Sequence, residues 1–405
     1  MCVKIYSLTS SLHDETTVSE ATKEFLGRLN VEYVFKGGDF SDYGSVGLDV
    51  IYVRTGGTEG IFRQLLPMLR EKSSNPFYLL ASDKSNSLAA SMEILSFLRQ
   101  LGMKGEIIHG SADYISERLK IIEKVYDAQL KISGKRLGII GKPSDWLISS
   151  IADKDVVRAR LGVELIDMEM DKLIEIIGSL KEQTLTPPTF PGQTDSMPEK
   201  VSNALPGAWG IYLALKHVVH QHRLDGFTIR CFDLLSSVHN TGCLALARLN
   251  SEGVVSSCEG DVPAMLSMLI SQALTGVMGF QSNPARIDPQ SGEMLFAHCT
   301  IPFNMVNRFE FDTHFESGIG VGIRGYIDDS DVTIFKVSAD LTRYFAEEGK
   351  LLCCQSNPGL CRTQMSILLD NPSTTNYFLT EPIGNHHIII PGRHKSIISQ
   401  FMHNL

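Results

Sequence analysis

Several features are missing from the 405-residue chain, and each absence excludes a class of protein. There is no excess of positive charge: 37 Lys and Arg stand against 46 Asp and Glu, a formal net charge of −9. A dedicated nucleic-acid binder would carry a basic footprint, so no nucleic-acid partner is expected. There is no long hydrophobic run either. The longest, from Ala264 to Phe280, is broken by Ser267, Ser271 and Gln272 and is too short and too polar for a membrane span. The opening MCVKIYSLTSS lacks the basic region and apolar core of a signal peptide, so a cytoplasmic protein without a membrane partner is expected. None of the eight cysteines (Cys2, Cys231, Cys243, Cys258, Cys299, Cys353, Cys354 and Cys361) belongs to a CxxC pair. Most lie in apolar or strand-like runs, the pattern of buried free thiols in a reducing compartment. Cys353, Cys354 and Cys361 fit no common zinc spacing.

What remains is an ordinary globular composition, 43% hydrophobic and 20% charged, long enough for two or three domains. Strand-like and helix-like patterns alternate through the first 132 residues. Strands are expected at 3–8, 31–35, 49–53, 77–81 and 106–109, with helices at 19–29, 61–70, 88–101 and 112–132. Such alternation indicates a parallel sheet covered on both faces. A second α/β run starts at Lys135, with strands at 136–141, 163–167 and 226–232 and helices at 170–180 and 208–223. Prolines between Pro187 and Pro206 make 185–198 an expected long exposed loop. Beyond Gly279 strands dominate. The expected fold is α/β: two Rossmann-like parallel-sheet domains, 1–132 and 133–280, then a mainly antiparallel β domain, 281–405.

Two segments carry chemistry. Glu259 and Asp261 follow a strand-like run, 253–257, and precede a helix ended by Gly276. Asp261 has a structural explanation as the helix N-cap. Glu259 has none, and it stands at the carboxyl end of a strand, where ligand crevices form in α/β sheets. A carboxylate there can bind a hard cation, act as a base, or both. The second segment, GNHHIIIPGRH at 384–394, places adjacent histidines on opposite faces of a strand, so one of the two can face a site. The loop from Arg54 to Gly60 has the setting of an anion site but neither the GxGxxG nor the P-loop pattern, and its glycines serve a tight turn. His217, His220 and His222 suit the negative end of a helix dipole.

Glu259-Gly260-Asp261 with its helix and Leu274-Thr275-Gly276, together with Gly384-Asn385-His386, resembles the corresponding segments of the L-fucose isomerase family, related to arabinose isomerases. NSLAASME at 86–93, GKPSDWL at 141–147 and TIRCFD at 228–233 resemble its shorter, fucose-isomerase-like branch. The matches run from about residue 80 to the end. This resemblance implies aldose–ketose interconversion of a fucose-like or modified monosaccharide through an enediol, with Mn²⁺ held by a Glu, an Asp and a His. Glu259 matches the Glu, serving as ligand and proton-transfer group, and His386 the His. The family's Asp position falls on Asn283, which offers a neutral oxygen and one less negative charge. A weak or absent metal, in an altered sugar-binding or regulatory protein, is therefore the alternative. Asp261 is a second catalytic carboxylate in this reading, and Arg230, His298, Asn385 and Trp146 are substrate contacts. His298 can equally be a core histidine and Trp146 a hydrophobic anchor. A homotrimer or homohexamer is implied, with sites near subunit boundaries.

Overall fold

Apolar runs of five or six residues, too short to be helices, become strands buried on both faces when helices cover them. In the computed structural model, which describes residues 2–405 except 182, 184, 195, 196 and 329, this arrangement occurs twice. Strands β1 (Val3–Leu8), β2 (Tyr33–Gly37), β3 (Leu48–Val53), β4 (Phe77–Ala81) and β5 (Gly105–Ile108) form a parallel sheet of order β2-β1-β3-β4-β5. Helices α1 (Glu15–Leu26), α2 (Glu59–Lys72), α3 (Ser87–Gln100) and α4 (Ala112–Ile132) alternate with the strands. The chain divides into two compact units, 1–127 with 400–404, and 128–399 with 405.

The second unit holds both the middle α/β region and the β-rich region. Strands β6 (Arg136–Ile140), β7 (Glu164–Met168), β8 (Gly226–Ile229) and β9 (Val255–Cys258) are parallel in the order β7-β6-β8-β9. Their helices are α5 (Lys154–Leu161), α6 (Met170–Ser179), α7 (Glu199–His222), α8 (Asp233–Ser237), α9 (Cys243–Ser251) and α10 (Val262–Thr275). Helix α7 starts nine residues before the expected 208 and runs through Pro206. The expected loop at 185–198, of which 195 and 196 lie outside the described residues, is not wholly exposed. Phe190 is buried and packs edge-on against Trp209 and Phe311.

After α10 the pattern becomes antiparallel, as expected, and closes on itself. Strands β10 (Phe280–Ile287), β11 (Glu293–His298), β12 (Arg308–Asp312), β13 (Gly322–Tyr326), β14 (Ser330–Val337), β15 (Tyr344–Cys354), β16 (Thr363–Leu369) and β17 (His387–Pro391) make a barrel and a separate two-stranded ribbon, β12-β13. The barrel order is β10-β11-β16-β15-β14-β17, every pair antiparallel, which leaves no free edge. Phe280, Met294, Phe296, Ile334, Met365 and Ile389 belong to its core. Helices α11 (Thr375–Thr380) and α12 (Lys395–Asn404) flank β17 in sequence. Among the described residues no helix is long and apolar enough to cross a membrane.

Candidate metal-binding and catalytic site

The turn between β9 and α10 is built from two consecutive left-handed residues, Glu259 at φ +66° and Gly260 at φ +72°. Glycine is required at 260, because a Cβ there would stand 2.5 Å from the Lys142 carbonyl oxygen. At Glu259 the same conformation is strained, by about 1–2 kcal/mol for a side chain with a Cβ. Strain of this kind persists where the surroundings over-determine it. Here the Gly260 amide donates to the Ile229 carbonyl at 2.9 Å, and the Ser144 amide to the Glu259 carbonyl at 2.9 Å. Asp261 then caps α10, its Oδ1 accepting from the Ala264 amide at 2.8 Å, and Gly276 ends the helix at φ +76°. The N-cap reading of Asp261 is the observed one.

The turn aims Glu259 at histidines carried by the barrel. His386 Nε2 lies 3.4 Å and His298 Nε2 3.7 Å from Glu259 Oε1, while the Trp146 indole donates to Oε2 at 2.7 Å. One ligand-capable atom from each of Glu259, His298 and His386 falls within 4.8 Å of the other two, and all three residues are buried. Two polar atoms here, Asn283 Oδ1 and His386 Nε2, are buried without a hydrogen-bond partner. Buried polar atoms are rarely left so, and a bound ion is one way to satisfy such an atom. The clustered donors are one carboxylate oxygen and two imidazole nitrogens, a set suited to a divalent first-row cation.

Behind His386 sits a charged chain with no solvent access. Its Nδ1 is 2.8 Å from Asp261 Oδ2, and the Lys336 ammonium stands 3.4 Å from both Asp261 oxygens. Burial pushes the Asp261 carboxyl up, but Lys336 and His386 outweigh it and hold the carboxyl down at about 2. Burial likewise opposes ionisation of Glu259, and the facing His386 and His298 overcome it, leaving the carboxyl well below the usual range. For His386, burial alone would lower the pKa, yet Glu259 and Asp261 raise it to about 9. For Lys336, burial is the larger influence and lowers its pKa against the pull of Asp261. With Asp261 accepting from Nδ1–H, a cation displacing the Nε2 proton would find that nitrogen's lone pair aimed toward Glu259, the tautomer a metal ligand needs.

A cavity of about 470 Å³ opens beside Glu259. Glu259, Asn283, His298, Asn385 and Trp146 line it, so five of the expected residues meet on one wall. His386 stands behind them, fully buried. Asp261 is not on the wall. It is held off the cavity by its bonds to Ala264 and His386. Arg230 is elsewhere too. Its guanidinium is taken up by the Pro143 carbonyl at 2.7 Å, Asp145 at 2.8 Å and Asp233 at 3.1 Å, so it pins the segment that carries Trp146. Trp146 itself is 52% exposed and packs edge-on to Phe232. His387 faces the opposite way, bonded to Tyr377 Oη at 2.9 Å, and burial first and Lys336 second depress its pKa to about 3.

Three contributors were not foreseen. Lys336 lies inside the apolar run VTIFKV, and a lysine at an inward position was the available signal. Gln281 accepts from the Cys258 amide at 2.8 Å and from Ser257 Oγ at 3.0 Å, fastening the end of β9 to β10. Five of the eight cysteines, Cys231, Cys243, Cys258, Cys299 and Cys361, line the same cavity although they are scattered along the sequence.

No protein-family model matches the chain. It is similar to the sulfoquinovose isomerases of Priestia aryabhattai and Priestia megaterium, 22% identical over 267 residues in each case, which is 62% of this chain and 59% of theirs. The sulfoquinovose isomerase of Alkalicoccus urumqiensis is 20% identical over 219 residues, 53% of this chain and 49% of its own. The matches thus span less than two thirds of those relatives' length. The motif resemblance is supported at the level of sugar isomerases; none of the three bears the name L-fucose isomerase.

Proposed function

We propose that the protein is an aldose–ketose isomerase of a monosaccharide, working with a divalent cation held by Glu259, His386 and Asn283, with His298 beside them. The observation that carries this reading is the convergence of a carboxylate and two imidazoles, Glu259, His298 and His386, beside a cavity that the orphaned Asn283 also lines. Isomerisation through an enediol moves one proton between neighbouring carbons, and Glu259 is the group placed to take it up and return it. Trp146 fixes Glu259 Oε2 and leaves Oε1 toward the histidines. A carboxylate held so acidic is a weak base. The cation, Mn²⁺ by the family resemblance, supplies the electrophilic stabilisation that brings a carbon-bound proton within its reach. Asp261 and Lys336 keep His386 in the ligating tautomer.

The lining also bears on the sugar. Among the described residues that line the cavity there is no Lys or Arg, whereas Glu259 and Glu316 are both there. An uncharged, fucose-like sugar fits that wall better than the sulfo-sugar in the relatives' names. Assembly as a homotrimer or homohexamer, the family's form, is part of the proposal, and a stable monomer by light scattering at micromolar concentration would count against it. A metal-free sugar-binding protein is the second reading, favoured by the neutral Asn283.

The test is incubation with a panel of uncharged aldoses and Mn²⁺ in deuterated water, followed by NMR. Ketose formation with deuterium at the carbon next to the carbonyl is expected, and is abolished by chelation. Sugar binding without exchange would select the second reading. Neither binding nor exchange with any sugar would overturn both.

A further inference from the structure

Five cysteines on one cavity wall play no part in the proposed reaction, and two of them are in direct contact. Cys258 is the last residue of β9 and immediately precedes Glu259; Cys231 follows β8, the neighbouring strand. Their sulfur atoms are 2.8 Å apart, closer than a non-bonded pair of sulfurs ordinarily stands and less than 1 Å from covalent bond length, about 2.05 Å. Both side chains are buried yet line the cavity, together with the half-exposed Trp146.

We propose that Cys231 and Cys258 form a reversible dithiol modification site, joined by oxidants of the peroxide class that enter through the cavity. One thiolate attacks a peroxide oxygen, the O–O bond breaks, and a sulfenic acid and hydroxide result. The second thiol then displaces hydroxide from that sulfur, forming the S–S bond. In sum two thiols lose two protons and two electrons, and one hydrogen peroxide becomes two waters. Disulfides of this kind in reducing compartments are transient and regulatory rather than structural. The bond ties the residue before Glu259 to the residue before Phe232, so it fastens together two neighbouring pieces of the cavity wall. The Cys258 amide and carbonyl are bonded to Gln281, at 2.8 and 3.4 Å, so a pull on its side chain is passed to the Glu259 turn. Resting on the metal reading above, the oxidised form should bind Mn²⁺ at least about tenfold more weakly, the scale of a disturbed outer shell around ligands.

The experiment treats the full chain with hydrogen peroxide, maps peptides without reduction, and titrates Mn²⁺ into both forms by calorimetry. A linked 231–258 peptide, lost on adding dithiothreitol and absent from Cys231→Ser and from Cys258→Ser, is expected, with weakened Mn²⁺ binding in the linked form. No linked peptide, or separate sulfinic acids at the two positions, overturns the modification site. A linked form that binds Mn²⁺ as tightly as the reduced one overturns its effect on the metal. Failure of the reduced protein to bind Mn²⁺ at all tells against the metal reading, and the peptide map still decides the disulfide.

Discussion

The two parallel sheets end in crevices of the same kind and treat their polar groups in opposite ways. In the first sheet the strand order reverses at β1 and β3, the place where α/β folds bind ligands, and a cavity of about 360 Å³ lies there. Yet its Arg54 is buried and makes four hydrogen bonds: Nε donates to Thr22 at 2.9 Å, Nη1 to Thr9 at 3.0 Å and Glu15 at 2.9 Å, and Nη2 to Ser19 at 3.2 Å. The neighbouring Lys84 is paired with Glu24 at 3.2 Å. At the corresponding end of the middle sheet, Asn283 Oδ1 and His386 Nε2 have no partner and Glu259 is strained. Equivalent topology therefore says where a ligand can sit. Unfilled hydrogen-bonding capacity says where one is expected.

The contrast can be broken by substitution on either side. Glu259→Gln keeps the volume and removes the charge. We expect turnover to fall at least about a thousandfold, roughly 4 kcal/mol of transition-state stabilisation, in a variant that still melts cooperatively by circular dichroism. Near-normal turnover in a folded variant would remove Glu259 from proton transfer. Lys336→Met leaves Asp261 buried without its counter-charge, and removing one partner of a buried pair costs about 3–5 kcal/mol. Denaturant unfolding should show a loss of that order, and a change under 1 kcal/mol would mean that His386 alone balances Asp261.

The first crevice should respond differently. Arg54→Met strips partners from Thr22, Thr9 and Ser19 and is expected to cost about 1–3 kcal/mol in unfolding free energy while leaving Mn²⁺ affinity as it was. Weakened Mn²⁺ binding would erase the distinction drawn between the crevices. The smallest change expected is the gain from Asn283→Asp, which should tighten Mn²⁺ binding about tenfold, or about 1.4 kcal/mol, by calorimetric titration. Equal or weaker binding would show that position 283 does not face the ion.

Local patterns made much of this legible. Ala112–Ile132 and Phe77–Ala81 are found at their expected bounds, because one has a clean apolar stripe and the other an unbroken apolar run. Glu259 could be singled out because capping accounts for Asp261 and leaves its neighbour unexplained. Helix α9, CLALARLNS, could not be read, since seven of its nine residues are buried and no single face repeats. Pro206 misplaced the start of α7, although a proline within a helix is tolerated where tertiary packing outweighs the lost hydrogen bond. Closure of the barrel, burial of Lys336 and the gathering of five cysteines arise from contacts between residues tens of positions apart or more. No window along the sequence contains them.

The left-handed backbone at Glu259 has a consequence for how this protein would change under selection. A glycine holds φ +66° without the clash that a Cβ brings, so Glu259→Gly would relieve a local strain while deleting the carboxylate. Against that relief stand the contacts the carboxylate makes, the Trp146 indole on Oε2 and the His386 and His298 imidazoles facing Oε1, which the same replacement would remove. Retention of glutamate in variants that have lost those contacts would then be a record of selection for activity, because the backbone of the turn alone favours glycine.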